Sequence, residues 1–425
     1  MSKIKRELQS YRCTLEILSP IHIGSGQTLY PDNYIIQKEN STYYRISFAD
    51  YFQKLQVKER EELIQLLEQG DTIKIRNFIH KNYKEKYGYI YKGKVSQKVL
   101  KDYIGKFSGT NKKNENKTFE IEETIKSDFR VYIPGSSIKG AIRTAFLANE
   151  FDPDKKEYFI ERNSTQNTKP FQEPRIEKIK KYLPDERKAF IEKQNEITRK
   201  KLNNNKKLLA VLIGLEREEP KVDPFKNLYI SDTDIKNDDI RIEEVVRWSK
   251  KKGQGSGVYH ELLDWERDNL YTFQILLKEF QIDKEILESL VRKKNENQGS
   301  VIQELKDIYV DEIFKNLNHH AEKMITADKN FFQTMASNKK DAIMREKGEK
   351  TLKFYEYLEK VFSDLKEKEA LIRIGKGSGF HSKTLNLFTK NPQELFSVNL
   401  IDDSTRDYYL TMGWAKLSYQ EEESF

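Results

Sequence analysis

The stretch Tyr132-Ile133-Pro134-Gly135-Ser136-Ser137-Ile138-Lys139-Gly140-Ala141-Ile142-Arg143-Thr144 constrains the fold more than any other part of this chain. A short apolar strand ends at Pro134-Gly135, and a helix is predicted over Ser137–Asn149. Ser136 or Ser137 can cap the free amides at its start. Ile138, Ile142 and Phe146, with Ala141 and Ala145 beside them, fall on one face at helical spacing, so this helix has an apolar side to bury. Lys139 and Arg143 lie four residues apart on a different face, near exposed N–H groups and the positive end of the helix dipole. Two readings of that pair are open. It is a phosphate site at a helix start, or it is two solvated cations on an ordinary amphipathic helix.

Two further segments share this chemistry. Tyr11, Cys13, Leu15 and Ile17 alternate with Arg12, Thr14 and Glu16 at strand period, then run into Ser19-Pro20-Ile21-His22-Ile23-Gly24-Ser25-Gly26. Leu371-Ile372-Arg373-Ile374 leads into Gly375-Lys376-Gly377-Ser378-Gly379-Phe380-His381-Ser382-Lys383-Thr384. At both ends the expected succession is a strand, a glycine loop with cations and hydroxyls, and a helix. Glycine lets backbone amides come close to a polyanion because no Cβ intervenes. Neither segment is a nucleotide-triphosphate P-loop, since neither has a glycine five positions before a Gly-Lys-Ser/Thr triplet. A lone Gly-x-Gly is weak evidence. The three segments together are what carry weight.

Composition agrees with a binder of polyanions. The 425 residues are 37 % hydrophobic and 34 % charged, which suits modest cores under a charged, helical surface. The 76 basic and 68 acidic residues leave a net charge of +8, so binding must work through local clusters. Lys112-Lys113, Lys178-Lys180-Lys181, Arg199-Lys200-Lys201, Lys206-Lys207 and Lys250-Lys251-Lys252 are such clusters, although each alone reads first as a solvated face. Exposed members of the 23 Tyr and 23 Phe can stack on unpaired bases. Cys13 stands in the apolar phase of its strand and reads as a small buried hydrophobe. A single cysteine excludes an internal disulfide, and no stretch approaches the roughly 18 apolar residues that span a bilayer. The charged start Met1-Ser2-Lys3-Ile4-Lys5-Arg6 lacks the apolar core of a signal peptide, so a cytoplasmic protein is expected.

The Ser19–Gly26 opening, the Ile133–Leu147 helix and the Arg373–Thr384 loop resemble the RAMP superfamily of CRISPR effector subunits. Within it the chain is most similar to the subunit group that caps the guide-RNA (crRNA) 3′ end in type III-A Csm complexes. Ser404-Thr405-Arg406 and Met412-Gly413-Trp414-Ala415-Lys416-Leu417 fit the closing strand of that group. Strands and helices mixed in order already indicate an α+β chain. The resemblance adds two ferredoxin-like (RRM-like) units with large helical insertions. We expect the first unit over residues 1–224, with insertions near 50–117 and 151–224, and the second over 225–425, with an insertion near 282–369. Periodicity predicts helix over Asp50–Leu67, over Ile176–Leu215 with a break at Pro184, and through 282–369 (Ile286, Leu290 and Val291, then Leu352, Tyr355, Leu358 and Phe362). It predicts strands at Arg241–Trp248, Gly257–Leu263, Leu270–Leu277 and Tyr408–Tyr419. Lys81–Lys117 reads as partly loop, and Lys252–Gly257 as a glycine-rich hairpin turn.

The same resemblance implies a non-enzymatic RNA-binding subunit with no cofactor. Its partners would be the crRNA 3′ region, target RNA, other Csm RAMP subunits (above all the repeated backbone subunit) and host nucleases that trim the guide. It would support crRNA maturation and antiviral defence. RNA contacts are expected from His22, Gly24, Ser25 and Gly26; from Ser136, Ser137, Lys139 and Arg143; and from Arg373, Gly375, Lys376, Gly377, Ser378, Gly379, His381, Ser382 and Lys383. His22 also reads as a hydrogen-bonded structural histidine. Asp32, in Tyr30-Pro31-Asp32-Asn33-Tyr34, matches a loop that serves target cleavage in the related backbone subunits. That leaves a metal-dependent RNA endonuclease using Asp32, or a metal-free one using His22, as the second reading. The subunit that holds the crRNA 5′ end and a protein-only scaffold are further alternatives. Asp232 and Asp234 read as capping or packing residues, and His319-His320 point to different sides of a helix, so no metal site is expected there.

Overall fold

The computed structural model describes residues 8–107, 119–150, 223–236, 239–249, 253–266, 270–278, 308–339, 341–382, 397–403 and 405–422. The strands are β1 (Leu8–Ile17), β2 (Gly24–Leu29), β3 (Tyr34–Gln37), β4 (Thr42–Arg45), β5 (Tyr91–Val95), β6 (Ile121–Thr124), β7 (Lys126–Ser127), β8 (Arg130–Val131), β9 (Leu228–Ile230), β10 (Ile240–Ser249), β11 (Gly253–Leu263), β12 (Leu270–Lys278), β13 (Glu369–Arg373), β14 (Ser397–Asp403), β15 (Tyr408–Thr411) and β16 (Trp414–Glu421). The α-helices are α1 (Phe48–Lys54), α2 (Val57–Gln69), α3 (Thr72–Asn82), α4 (Gln97–Phe107), α5 (Gly135–Glu150), α6 (Val310–Ala336) and α7 (Ala342–Ser363).

The alternation of residues 11–17 becomes β1, with Tyr11, Cys13, Leu15 and Ile17 in the core. β1 lies at the centre of a five-stranded antiparallel sheet of order β13-β16-β1-β12-β9. A second sheet runs β2-β6-β11-β10-β5-β4-β3, with β14 paired to β10 and β15 to β14. In it β5 and β6 flank the β10–β11 hairpin in parallel. A centre strand needs a partner on each edge, and here both partners of β1 come from beyond residue 224. Each sheet holds strands from both sides of that residue, so the expected boundary does not separate the two sheets.

α5 buries Ile138, Ile142 and Ala145 as its spacing predicts, and it packs on α6 and β9. α6 also contacts α7 and β13. A smaller core of Tyr44, Tyr51, Leu63, Ile79 and neighbours sits under α1–α3. A buried carboxylate joins the second sheet from within. Glu261 on β11 accepts hydrogen bonds from Tyr43 at 2.9 Å, Tyr91 at 2.8 Å and the Thr124 amide at 3.1 Å, and it pairs with Lys126.

Several local expectations change. Asp50–Leu67 is not one helix, because Leu55 and Gln56 are extended and Gln56 and Glu59 form a capping box that starts α2 afresh. In the stretch read as partly loop, the described residues 81–107 hold β5 and α4. The glycines at 253, 255 and 257 lie in β11; Gly255 lies close against the Arg247 carbonyl, where a Cβ would stand only 3.0 Å from its oxygen. Tyr408–Tyr419 splits into β15 and β16 at Gly413. The Gly24 segment continues as β2, with no helix after it. The helix expected over residues 176–215, the apolar set Ile286, Leu290 and Val291, and all five lysine and arginine clusters lie outside the described residues. No described helix is long and apolar enough to cross a membrane.

The start of α5 is a tight backbone-to-backbone join. A Cβ at Gly135 would stand 2.2 Å from the Ile230 carbonyl oxygen, whereas one at Gly140 would meet nothing within 4 Å. Gly135→Ala should therefore cost about 3 kcal/mol through backbone displacement. Gly140→Ala should stabilise by about 0.5–1 kcal/mol through helix propensity and lost unfolded-state freedom. Chemical denaturation of the two variants checks the opposite signs.

Candidate functional site

The three sequence segments converge. Backbone hydrogen bonds run from the Leu18 and Ser19 amides to the Trp414 carbonyl (3.0 and 3.1 Å), from Gly413 to Pro20 (2.9 Å), from Ile374 to Gly413 (2.8 Å) and from Lys376 to His22 (2.7 Å). Gly375 adopts a φ of +90°, and a Cβ there would lie 2.7 Å from the His22 carbonyl oxygen, so the second glycine loop can follow this path only with glycine at that position. On its other side the loop faces the first turns of α5. Between them lies a cleft of about 160 Å³ whose walls include Ser137, Thr144, His320, Arg373, Ser378 and Ser382.

A carboxylate from α6 holds the floor of this cleft. Asp328 is fully buried, and its Oδ2 accepts hydrogen bonds from Arg373 Nη1 at 2.7 Å and from the Tyr355 hydroxyl at 2.5 Å. Its Oδ1 contacts His381 Nδ1. Tyr355 is also 3.1 Å from Thr411 Oγ1, which carries the network to β15. Burial alone would raise the Asp328 pKa, but the guanidinium and His381 outweigh it and hold the carboxyl down to about 2. Arg373 Nε donates to the Met412 carbonyl at 3.0 Å, and the guanidinium lies 5.0 Å from the centre of the Trp414 ring. Its Nη2 has no hydrogen-bond partner among the described residues and sits under Gly379. His320 Nδ1 is another buried nitrogen without a partner there, and burial pushes that imidazole down to about 3.

Arg373 and His381 are therefore not the exposed phosphate ligands expected from sequence, because both are spent on a buried carboxylate. His22 is also buried. Its Nδ1 donates to the Glu261 carbonyl at 2.8 Å, which is the structural role. Lys139 Nζ donates to the Leu228 carbonyl at 2.6 Å, and Arg143 pairs with Asp223 at 2.7 Å over the Phe225 ring. These two cations pin α5 to the start of β9 and to Asp223 before it, on a helix face other than the one that lines the cleft. Neither serine caps α5, since the Gly135 amide donates to Asp232 Oδ1 at 2.8 Å. Asp232 thus caps α5, whereas Asp234 accepts from the Thr272 amide of β12 at 2.6 Å, a packing role. Gly24, Ser25, Gly26 and Ser136 are exposed, and Lys376 reaches from the loop to Glu122. Gly377 shares the loop and has a φ of +84°. Lys383 lies outside the described residues. Asp32 sits in an exposed turn closed by the Asn33 amide on the Tyr30 carbonyl at 2.8 Å.

Sequence reasoning missed Asp328, Tyr355, His320, Glu122 and His260. A signal for Asp328 exists. It is the one carboxylate in the buried stripe of Met324, Ile325, Phe331, Phe332 and Met335 on α6. A lone acid on an apolar helix face needs a buried partner.

The sequence profile of the RAMP superfamily matches residues 14–382. The chain belongs to that superfamily. It is a RAMP protein similar to Csm5 of Enterococcus italicus (31 % identical over 152 residues, 32 % of this chain and 42 % of the relative). It is also similar to Csm5 of Methanocaldococcus jannaschii (24 % over 271 residues, 64 % of this chain and 50 % of the relative). These matches span half or less of each curated relative. Two solved structures share the fold over nearly the whole length. Csm5 of T. onnurineus aligns with a TM-score of 0.58 at 20 % identity, covering 95 % of this chain and 99 % of that one. A chain in a cryo-EM structure of a Csm–crRNA–target RNA ternary complex aligns with a TM-score of 0.56 at 17 % identity, covering 96 % and 100 %.

Asp328→Asn leaves a buried guanidinium without its counter-charge, and a loss of about 3–5 kcal/mol of stability at pH 7 is expected. The folded pKa lies below the ordinary 3.8, so the carboxylate's contribution is present above about pH 4 and is lost as pH falls through about 2. Denaturant titrations across that range should show the gap between wild type and variant closing. A gap that stays constant down to pH 2 contradicts the charge pairing.

Proposed function

We propose that this chain is an RNA-binding subunit of a type III-A CRISPR Csm ribonucleoprotein, placed at the end that holds the crRNA 3′ region. It works in the cytoplasm beside other Csm RAMP subunits, and it supports guide maturation and antiviral defence by holding RNA. It does not cut RNA. The observation that carries this reading is the cleft between α5 and the second glycine loop. Its volume of about 160 Å³ is well below the roughly 300 Å³ at which small-molecule sites begin, and a single phosphate group fits it. Hydroxyls from Ser137, Ser378 and Ser382 line it and are groups of the kind that hydrogen-bond phosphate oxygens. Such a site reads backbone and not sequence.

The fold supports the same reading. The strands β16-β1-β12-β9, with α5 leading from β1 towards β9 and α6 and α7 following β12, have the order 4-1-3-2 of a ferredoxin-like unit, and β13 is an added edge strand. The second sheet has a different, branched order. We therefore assign one such unit to the chain and treat the second sheet as a partner platform. The likeness to a chain of an RNA-containing Csm complex is in keeping with this role. The exposed turn around Asp32 and the buried, hydrogen-bonded His22 favour binding over catalysis.

Ser378→Glu places a carboxylate in the cleft. It should weaken single-stranded RNA binding at least tenfold or so, equally for unrelated sequences, and flatten the salt dependence by about one phosphate contact. Anisotropy titrations at several salt concentrations, on the chain alone and in the assembled complex, measure this. Unchanged affinity, or a loss confined to one sequence, would remove the cleft as the phosphate site.

A further inference from the structure

A second constellation lies on the opposite side of the glycine loop. Glu122 on β6 and His260 on β11 are direct partners in the parallel ladder, and His22 from the segment after β1 reaches the same point. The Nε2 atoms of His260 and His22 lie 3.4 and 3.7 Å from one Glu122 oxygen, Oε2, and the three donor atoms all lie within 4.8 Å of one another. The two imidazole rings meet edge to face at 4.8 Å.

The tautomers are set from behind. His22 Nδ1 is 2.8 Å from the Glu261 carbonyl, and His260 Nδ1 is 3.0 Å from the Val258 carbonyl. A carbonyl oxygen only accepts, so each ring carries its proton on Nδ1 and turns an Nε2 lone pair towards Glu122. Burial pushes the His22 imidazole down to about 4 and lowers His260 as well, so both rings are neutral at pH 7. His22 is 1 % exposed, and its Nε2 has no hydrogen-bond partner among the described residues. Three acceptors thus converge with no donor among them, an arrangement that repels itself unless a cation sits between. Gly24 keeps the place open, since a Cβ there would come within 3.1 Å of His22 Nε2. The nearby cation is the Lys376 ammonium on Glu122 Oε2, at the end of a side chain that is 60 % exposed.

We propose that His22, His260 and Glu122 form a binding site for a zinc-class divalent cation, which competes with the Lys376 ammonium for Glu122 Oε2. Two imidazoles and a carboxylate suit zinc and its first-row neighbours. Tetrahedral bonds of about 2.0–2.2 Å put neighbouring ligand atoms about 3.3–3.5 Å apart, close to the spacings seen. Magnesium and calcium want six or more oxygen ligands, which this site does not supply. Bound metal would free Lys376 from Glu122, at the edge of the loop that walls the RNA cleft. The site would also tie the His22 segment to β6 and β11. No local spacing in the sequence signals it, because its members lie about a hundred residues or more apart.

The test uses the purified full chain, stripped with chelator and titrated with Zn²⁺ alone in the absence of RNA, so it is independent of the RNA reading. Elemental analysis should find one zinc per chain, and thermal melting should rise with zinc and not with Mg²⁺. Glu122→Gln, at a half-exposed position, should fold with a similar melting temperature yet lose zinc affinity by about a hundredfold or more. Lys376→Met should tighten zinc binding roughly tenfold by removing a competing charge. Full zinc occupancy in Glu122→Gln, or no zinc-dependent melting shift in the wild type, overturns the site. Unchanged affinity in Lys376→Met overturns the competition.

Discussion

The contact between the Asp328 carboxylate and the Arg373 guanidinium is the constraint from which the rest of this structure follows. Both groups are buried, and neither can stay charged inside a protein without the other. Asp328 comes from the middle of α6, and Arg373 ends β13. Tyr355 from α7 and His381 from the glycine loop occupy the remaining sites of the carboxylate. One ionised group therefore sets the height of two helices and a loop over the five-stranded sheet. Hydrophobic packing would place these elements only loosely, whereas the directional bonds to Asp328 fix their register.

The same contact shapes what the cleft can do. With Nη1 committed to Asp328 and Nε to the Met412 carbonyl, the guanidinium is locked in one orientation and keeps Nη2 under the loop. The glycine loop is held from the other side by the Ser19–His22 segment and Gly413, so the wall facing α5 is stiff as well. The small volume is on the scale of one phosphate group. Under the proposed function this suits a guide RNA, which varies in sequence but not in backbone.

How much of this the sequence reveals differs by element. β1, α5, β10, β12 and the cores of α6 and α7 follow from periodicity, because each buries one regular face. The break between α1 and α2 and the split at Gly413 do not, since a cap and a single positive-φ residue override a continuous apolar pattern. The association of the three motifs was legible through their shared glycines and through family resemblance. The roles within them were not. Lys139, Arg143, Arg373 and His381 read as free cations and rings because their partners (Leu228, Asp223 and Asp328) lie tens of residues away or more. Long-range polar pairing leaves no periodic trace. The exception is Asp328, which stands out as a charge on an apolar helix face.

The most direct measurement is a structure of this chain bound to single-stranded RNA, alone or in its assembled complex. A phosphate should lie in the cleft between α5 and the glycine loop, with an oxygen about 3 Å from the Ser378 or Ser382 hydroxyl. The Asp328–Arg373 contact should remain unbroken beneath it. RNA lying across another face, with no phosphate in the cleft, would contradict the account.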